Sequence, residues 1–101
     1  MSAYIVANYR ITDAEGIAKY REAVIPQLLE AGCEFLVATE DEEVLEGSPP
    51  PSIVVLKFES IEAAKNWYNS SEYQAIKHLR INATTDSWLI LSEGFQMPES
   101  A

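Results

Sequence analysis

Four short segments of the chain have the composition of β-strands, and they carry apolar side chains on both of their faces. The segments are Tyr4–Ile11, Cys33–Thr39, Ser52–Glu59 and Asp86–Glu93. Because successive side chains of a strand point to opposite faces, a sheet with one face in water shows alternating apolar and polar residues. These segments do not alternate in that way. The sequence therefore predicts a sheet that has to be covered on both faces.

The region between the first two strand segments is predicted to be a helix. Thr12 and Glu15 have the spacing of a capping box, in which each side chain bonds the other residue's amide. Apolar residues follow at steps of three and four, and Gly32 can end the helix in a left-handed conformation. Pro26 lies inside this region and is expected to kink or break the helix.

A second helical region lies between the last two strand segments. Ser60 is placed to cap its start, and residues 69–71 interrupt it. Ser71 and Gln74 have the spacing of a second capping box, so we expect a separate helix to begin there.

The order of elements is therefore β-α-β-β-α-β, which predicts an α+β chain. This order is that of the ferredoxin-like plan, an antiparallel sheet with its helices on one face. Residues 40–43 form an acidic run that is expected in a solvated loop, and residues 44–46 are predicted to add a short extra strand. We expect a single domain over residues 1–95, followed by a C-terminal tail of residues 96–101.

The second apolar face of the sheet predicts a partner. Four strands about 4.8 Å apart, each of about five or six residues, give a flat footprint of roughly 350 Å² before side-chain relief is added. Covering it is worth on the order of 9 kcal/mol before the costs of association. A second identical chain is the simplest cover, so we predict a homodimer in which two sheets face each other.

Composition excludes several other partners and locations. The chain has 101 residues with 7 Lys and Arg against 16 Asp and Glu, a formal net charge of −9. This balance argues against nucleic acid or an anionic membrane surface as a partner, because both require basic patches. The sequence also lacks a basic segment before an apolar run, and it lacks a long apolar stretch, so a cytoplasmic location is expected. One His and one Cys do not provide a metal-ligand set, so we expect no metal or other cofactor.

Motifs spread along the chain resemble those of the DUF1330 family. They are Tyr20-Arg21, Pro26, Gly32 with Phe35-Leu36, Leu45-Glu46-Gly47, Val54-Val55-Leu56 with Phe58, Ser60, Ala64, Trp67-Tyr68, Ser70, Glu72-Tyr73, Leu79-Arg80 and Glu93-Gly94. The resemblance runs from about Tyr4 to Gly94 and is most specific between Val54 and Arg80. It implies a dimeric α+β barrel, an architecture shared with small cofactor-independent oxygenases, isomerases and haem-degrading enzymes. It implies no particular activity.

The chain departs from the family pattern around its second strand. Gly32-Cys33 stands where the family often has two glycines, and Thr39-Glu40-Asp41 stands where it often has Arg-Gly-Gly. These changes remove positive charge and flexibility from that loop. An anion site in the loop is therefore not expected here.

Two residues are candidates for acid–base chemistry. His78 is the only side chain that would titrate near neutral pH unperturbed, and it could act as a general acid or base at the rim of a helix–sheet cleft. The competing interpretation places His78 on the surface of its helix. Tyr73, which follows the break between the two helices, is the second candidate.

Further residues are candidates for holding a ligand. Trp67 and Tyr68 flank the helix break and could converge with Tyr73 on one cavity, or could simply fill the core. By analogy with oxygenases of the superfamily, Asn66 or Asn8 could supply an amide to an aromatic substrate. Arg80 could attract a small carboxylate or phenolate, or could offset the dipole of its helix.

Three functions remain open at this point. The first is a cofactor-independent enzyme that acts on a small aromatic or carbonyl compound in the helix–sheet cleft. The second is a non-catalytic module for ligand binding or dimerisation. The third is a regulatory domain that senses amino acids, which the absence of a helix-turn-helix pattern disfavours.

Overall fold

The fold is an antiparallel four-stranded sheet with three helices, and the computed structural model describes residues 1–98. The elements are β1 (Ala3–Ile11), α1 (Ala14–Glu30), β2 (Glu34–Thr39), β3 (Ser52–Phe58), α2 (Ile61–Tyr68), α3 (Ser71–Ala83) and β4 (Thr84–Glu93). The strands lie in the order β2-β3-β1-β4, and neighbours are antiparallel. This arrangement confirms the predicted α+β, ferredoxin-like architecture. Within residues 1–98, no helix is long and apolar enough to cross a bilayer.

Both predicted capping boxes are wrong by one residue. Asp13, not Thr12, caps α1, and its side chain accepts a hydrogen bond from the Gly16 amide at 3.1 Å. The Thr12 amide instead donates to the Ala83 carbonyl at 2.8 Å and so ties β1 to the end of α3. An aspartate also places a negative charge at the positive end of the helix dipole, which favours it as the cap.

The cap of α3 lies one residue before the predicted position. Ser70, not Ser71, is the cap, and its hydroxyl accepts a hydrogen bond from the Tyr73 amide at 3.1 Å. The same hydroxyl donates to the Trp67 carbonyl at 2.7 Å, so one serine both ends α2 and begins α3. The predicted separation of the second helical region into two helices is confirmed.

Three further expectations about boundaries are corrected. Helix α1 continues through Pro26 without a break, because buried Val24 and Leu28 on either side of the proline anchor the helix to the core. Residues 44–46 form no strand and belong to the connection between β2 and β3. Strand β4 begins two residues earlier than predicted, because Thr84 already pairs with Ile11.

The core lies between the sheet and the helices. Its buried residues come from β1, β3 and all three helices, together with Cys33 just before β2. They are Ile5, Ala7, Tyr9, Ile17, Val24, Leu28, Cys33, Leu56, Phe58, Ala64, Trp67, Tyr73 and Ala83. Residues 96–98 of the predicted tail have no helix or strand, and residues 99–101 of it lie outside the described residues.

The face of the sheet that points away from the helices is also apolar. Val6 of β1 lies between Val55 of β3 and Ile90 of β4 in the strand register, and directly opposed residues share a face. Trp88 and Ile90 are 44% and 52% exposed there. We call this surface the open sheet face. Among residues 1–98, no helix covers it, which agrees with the apolar pattern found in the sequence.

Candidate functional site

An apolar cleft of about 150 Å³ lies between α1 and the sheet. Its lining residues come from β1, α1, β2, β3, α2, α3 and β4. They are Ile5, Ala7, Tyr9, Tyr20, Arg21, Val24, Ile25, Leu28, Phe35, Ala38, Val54, Leu56, Trp67, Arg80 and Leu89. An apolar protein cavity of about 150 Å³ is large enough to take up benzene. The cleft therefore has room for one aromatic ring.

The cleft is polar at one end, where Arg80 and Tyr20 meet Tyr73. The hydroxyls of Tyr20 and Tyr73 are 2.9 Å apart and share a hydrogen bond. The Nε of Arg80 donates to the Tyr73 hydroxyl at 3.4 Å. Tyr73 is fully buried and lies behind the lining residues, so it holds Tyr20 and Arg80 in place.

Arg80 is a buried cation without an acidic partner. It is 7% exposed, and no carboxylate in the described chain lies within 4 Å of its guanidinium. Burial opposes its charge, but the hydroxyls of Tyr73 and Tyr20 raise its pKa above the usual value. Arg80 therefore stays charged, and the end of the cleft is positive in a chain whose net charge is −9.

Tyr20 provides a hydroxyl that keeps its proton. Burial, followed by the neighbouring Tyr73 hydroxyl, raises the pKa of Tyr20 far above its ordinary value. A tyrosine in this state donates or accepts hydrogen bonds but does not carry negative charge at physiological pH. Together with Arg80, it can stabilise an oxygen anion on a bound molecule.

An aromatic cluster packs around Trp67, which is the member of the cluster that lines the cleft. The Trp67 ring stacks on Phe58, with centroids 5.8 Å apart, and lies 4.2 Å from the Tyr73 centroid. Tyr68 packs against both Trp67 and Tyr73 and has the Lys77 ammonium 5.4 Å from its ring. Trp67 lines the cleft, whereas Tyr68 stands outside it. The helix break thus brings these aromatics into contact with one another, but of the three residues expected to converge on a cavity only Trp67 lines the cleft.

Asn8 lies on the other side of β1. Its neighbours Ala7 and Tyr9 line the cleft, so its own side chain points to the opposite face. Asn8 Nδ2 donates to the carbonyls of Pro50 and Ser52 at 2.9 and 2.6 Å. The residue fastens the segment before β3 to β1.

His78 and Cys33 also stand apart from the cleft lining. His78 is exposed on α3 and lines none of the cavities. Cys33 is buried in the core, and burial raises the pKa of its thiol to about 11. That environment is typical of an inert cysteine. Across residues 1–98, no three His, Cys, Asp or Glu side chains gather as a metal-ion site.

At its mouth the cleft adjoins a second, polar cavity, which we call the outer chamber. It has a volume of about 430 Å³ and shares Tyr9, Arg21, Ala38 and Val54 with the cleft. Its remaining lining residues are Thr39, Glu40 and Asp41. Arg21 of α1 faces Glu40 at 3.9 Å, so an ion pair forms across the mouth.

Sequence reasoning missed the role of Tyr20. We had identified it as part of the buried stripe of α1 and as a family motif, without a chemical role. A tyrosine on an apolar helix stripe needs a partner for its hydroxyl, and that requirement was the available signal. Its partner Tyr73 lies 53 residues away, a proximity that no sequence spacing reveals.

Comparison with known proteins places the chain in a group of uncertain role. The family model named Domain of unknown function (DUF1330) matches residues 2–95, which confirms the resemblance drawn from the motifs. A search of functionally curated proteins finds no match.

Solved structures share the fold at low sequence identity. RPA0582, a protein of unknown function from Rhodopseudomonas palustris, has a TM-score of 0.78 and 17% identity over 95% of this chain and 84% of its own. A dimeric ferredoxin-like protein of unknown function from Thermobifida fusca has a TM-score of 0.62 and 13% identity, covering 93% and 92%. A variant of SnoaB, a cofactor-independent oxygenase from Streptomyces nogalater, has a TM-score of 0.61 and 11% identity, covering 97% of each chain.

Proposed function

The chain belongs to the DUF1330 family, and from that premise we propose that it binds a small aromatic or carbonyl compound in the cleft under α1 as an anion. The observation that carries this proposal is the buried guanidinium of Arg80 at the end of an apolar cavity. A buried charge is costly unless an opposite charge accompanies it. A carboxylate, phenolate or enolate oxygen would supply that charge.

The shape of the cleft limits the ligand to one ring. Its volume of about 150 Å³ suits a monocyclic compound, and its walls are mostly aliphatic and aromatic. Such a site binds the ring by apolar contact and orients it through a few polar groups. Arg80 and the Tyr20 hydroxyl are those groups.

The same polar end supports chemistry without a cofactor. A carbonyl compound that loses an α-proton to water leaves a negative charge on its oxygen, and Arg80 and Tyr20 would stabilise that charge. Tyr73 is the positioning residue behind them. SnoaB, described as a cofactor-independent oxygenase, is an enzyme with the same fold.

A non-catalytic role is the second candidate, and one observation favours it. In the described chain, the cleft is lined by neither a carboxylate nor an imidazole. A general base normally lies within hydrogen-bond reach of the proton that it removes. Without such a base, the site would bind an anion and leave it unchanged.

We further propose that the protein is a homodimer joined through the open sheet face. Trp88 and Ile90 are exposed there, and the two facing sheets would bury them. The Thermobifida fusca structure, which shares the fold, is described as dimeric.

The binding proposal is tested by titrating benzoate into the protein in a calorimeter. Replacing Arg80 by Met keeps much of the side-chain volume but removes the charge, so we expect affinity to fall at least about tenfold, since bonds to charged groups contribute about 1.5–3 kcal/mol. Arg10→Met is the matched control, because Arg10 is exposed and pairs with Asp86 away from the cleft. Equal affinities for Arg80→Met and the native chain would remove the proposal.

The enzymatic and binding roles differ in turnover. An enolisable aromatic ketone such as phenylpyruvate exchanges its α-protons with deuterated water, and NMR measures the rate. An enzyme would accelerate the exchange, and Arg80→Met would lose the acceleration. Tight binding without acceleration would establish the non-catalytic role.

A further inference from the structure

The cleft and the outer chamber lie side by side, and their lining residues carry opposite charge. Arg80 borders the inner cleft only, whereas Glu40 and Asp41 border the outer chamber only. The two cavities share four lining residues and therefore lie side by side. The inner end is cationic, and the outer end contains two carboxylates against the one guanidinium of Arg21.

The ion pair at the mouth does not neutralise the outer chamber, because Asp41 adds a second carboxylate. Arg21 faces Glu40 at 3.9 Å, and both side chains are about half exposed, at 46% and 56%. Asp41 lines the same chamber without a cation within 4 Å in the described part of the chain. Its amide donates to the Thr39 hydroxyl at 3.0 Å, which holds this turn at the mouth.

We propose that the site selects amphoteric ligands, in which an aromatic ring carries an anionic group at one end and a protonated amine at the other. This inference rests on the proposed function and names its ligand class. The anion meets Arg80 inside the cleft, the ring fills the apolar part, and the ammonium reaches the outer chamber beside Asp41 and Glu40. Opposite charges at fixed separation give specificity, because a ligand with a like charge at either end is repelled.

The arrangement also explains why Arg21 does not make the mouth a second anion site. Its charge is offset by Glu40, and residues 41–43 add three further carboxylates to the same loop. An anionic tail would therefore enter a negative chamber. A ligand with two carboxylates is disfavoured relative to one with a single carboxylate.

Three benzoates that differ only in the para substituent test this selectivity. The probes are 4-(2-aminoethyl)benzoate, 4-ethylbenzoate and 4-(2-carboxyethyl)benzoate, whose tails are cationic, neutral and anionic. In calorimetric titrations, we expect the aminoethyl compound to bind at least about tenfold more tightly than 4-ethylbenzoate. The carboxyethyl compound should bind most weakly.

A charge-matched pair of variants separates local contact from overall charge. The double variant Glu40→Gln, Asp41→Asn should reduce the preference for the aminoethyl compound over 4-ethylbenzoate to less than about threefold. The control Glu59→Gln, Glu62→Gln changes the net charge equally, but both residues are exposed outside the acidic loop and neither lines the cleft or the outer chamber, so it should retain the preference.

The outcomes distinguish this inference from the proposal beneath it. Equal binding of the three benzoates, or tightest binding of the carboxyethyl compound, would overturn the selectivity while leaving the anion site in place. An equal loss of preference in both double variants would also overturn it, since overall charge would then be the cause. Failure of all three compounds to bind would overturn the proposed function itself.

Discussion

Arg80 determines the chemistry that the cleft can support. A guanidinium that is 7% exposed and lacks an acid within 4 Å among the described residues is unusual, because buried charges are normally paired. Tyr73 accepts the hydrogen bond of its Nε, and the Tyr20 hydroxyl also lies beside the guanidinium. The helix that carries Arg80 therefore presents a fixed cation to the cleft.

Removing the Tyr73 hydroxyl should weaken this arrangement. Tyr73→Phe leaves Arg80 Nε and the Tyr20 hydroxyl without their shared partner, so we expect the free energy of unfolding to fall by about 1–3 kcal/mol. Benzoate affinity should fall as well, because the guanidinium loses its orientation. Chemical denaturation and calorimetry measure the two effects.

Tyr68→Phe is the matched control for that change. Tyr68 contacts the same aromatic cluster but lies outside the cleft lining. Its hydroxyl removal should leave stability and benzoate affinity close to those of the native chain. Equal effects of the two substitutions would argue against a positioning role for Tyr73.

At the residue scale, the sequence indicated which residue types could form a site but not which residues contact one another in the fold. Trp67 and Tyr73 are candidates in the sequence because they flank a helix break, and Arg80 is one because its permanent charge could attract an anion. Tyr20 gained its role only through a contact between α1 and α3. His78 was selected for its titration range, yet the rotation of α3 places it in solvent.

At the scale of elements, the type and order of the helices and strands were predictable from the sequence. The residues at which the helices begin were not. The serines and acids that can cap a helix occur side by side as Thr12-Asp13 and Ser70-Ser71, so spacing alone did not choose between them. The Thr12 amide donates to Ala83, which is distant in sequence, whereas the Ser70 hydroxyl donates to the Trp67 carbonyl at the end of the preceding helix.

Strand β2 shows a further limit of pattern reading. Its pairing with β3 shifts register between Phe35 and Val37, which marks a bulge. The bulge lets Phe35 and Ala38 both line the cleft although they are three residues apart. A strict alternation of faces, as assumed in the sequence, puts such a pair on opposite faces.

At the scale of the whole molecule, the sheet is apolar on both faces, and that property was readable from the sequence. What covers the open sheet face depends on a second molecule, so a single chain's pattern predicts the need for a partner but not its geometry. The net charge of −9 opposes association of two copies at low salt. Added salt should therefore strengthen the dimer, since screening reduces that repulsion.

The homodimer makes a prediction for sedimentation. The native chain should sediment as a dimer at micromolar concentration, and Ile90→Lys should sediment as a monomer because it places a charge in the apolar interface. Leu29→Lys is the control, since Leu29 is 61% exposed on α1, away from the sheet. A native chain that is monomeric at that concentration would contradict the proposed assembly.

The most direct test of the account is to locate bound benzoate by NMR. Amide and side-chain signals of the uniformly labelled protein would be followed during a titration. We expect the largest shifts at Tyr20, Leu89 and the Arg80 guanidinium, with small shifts at His78 and none in Arg80→Met at the same concentrations. Shifts that cluster instead on the open sheet face or around His78, and that persist in Arg80→Met, would contradict the assignment of the cleft as the binding site.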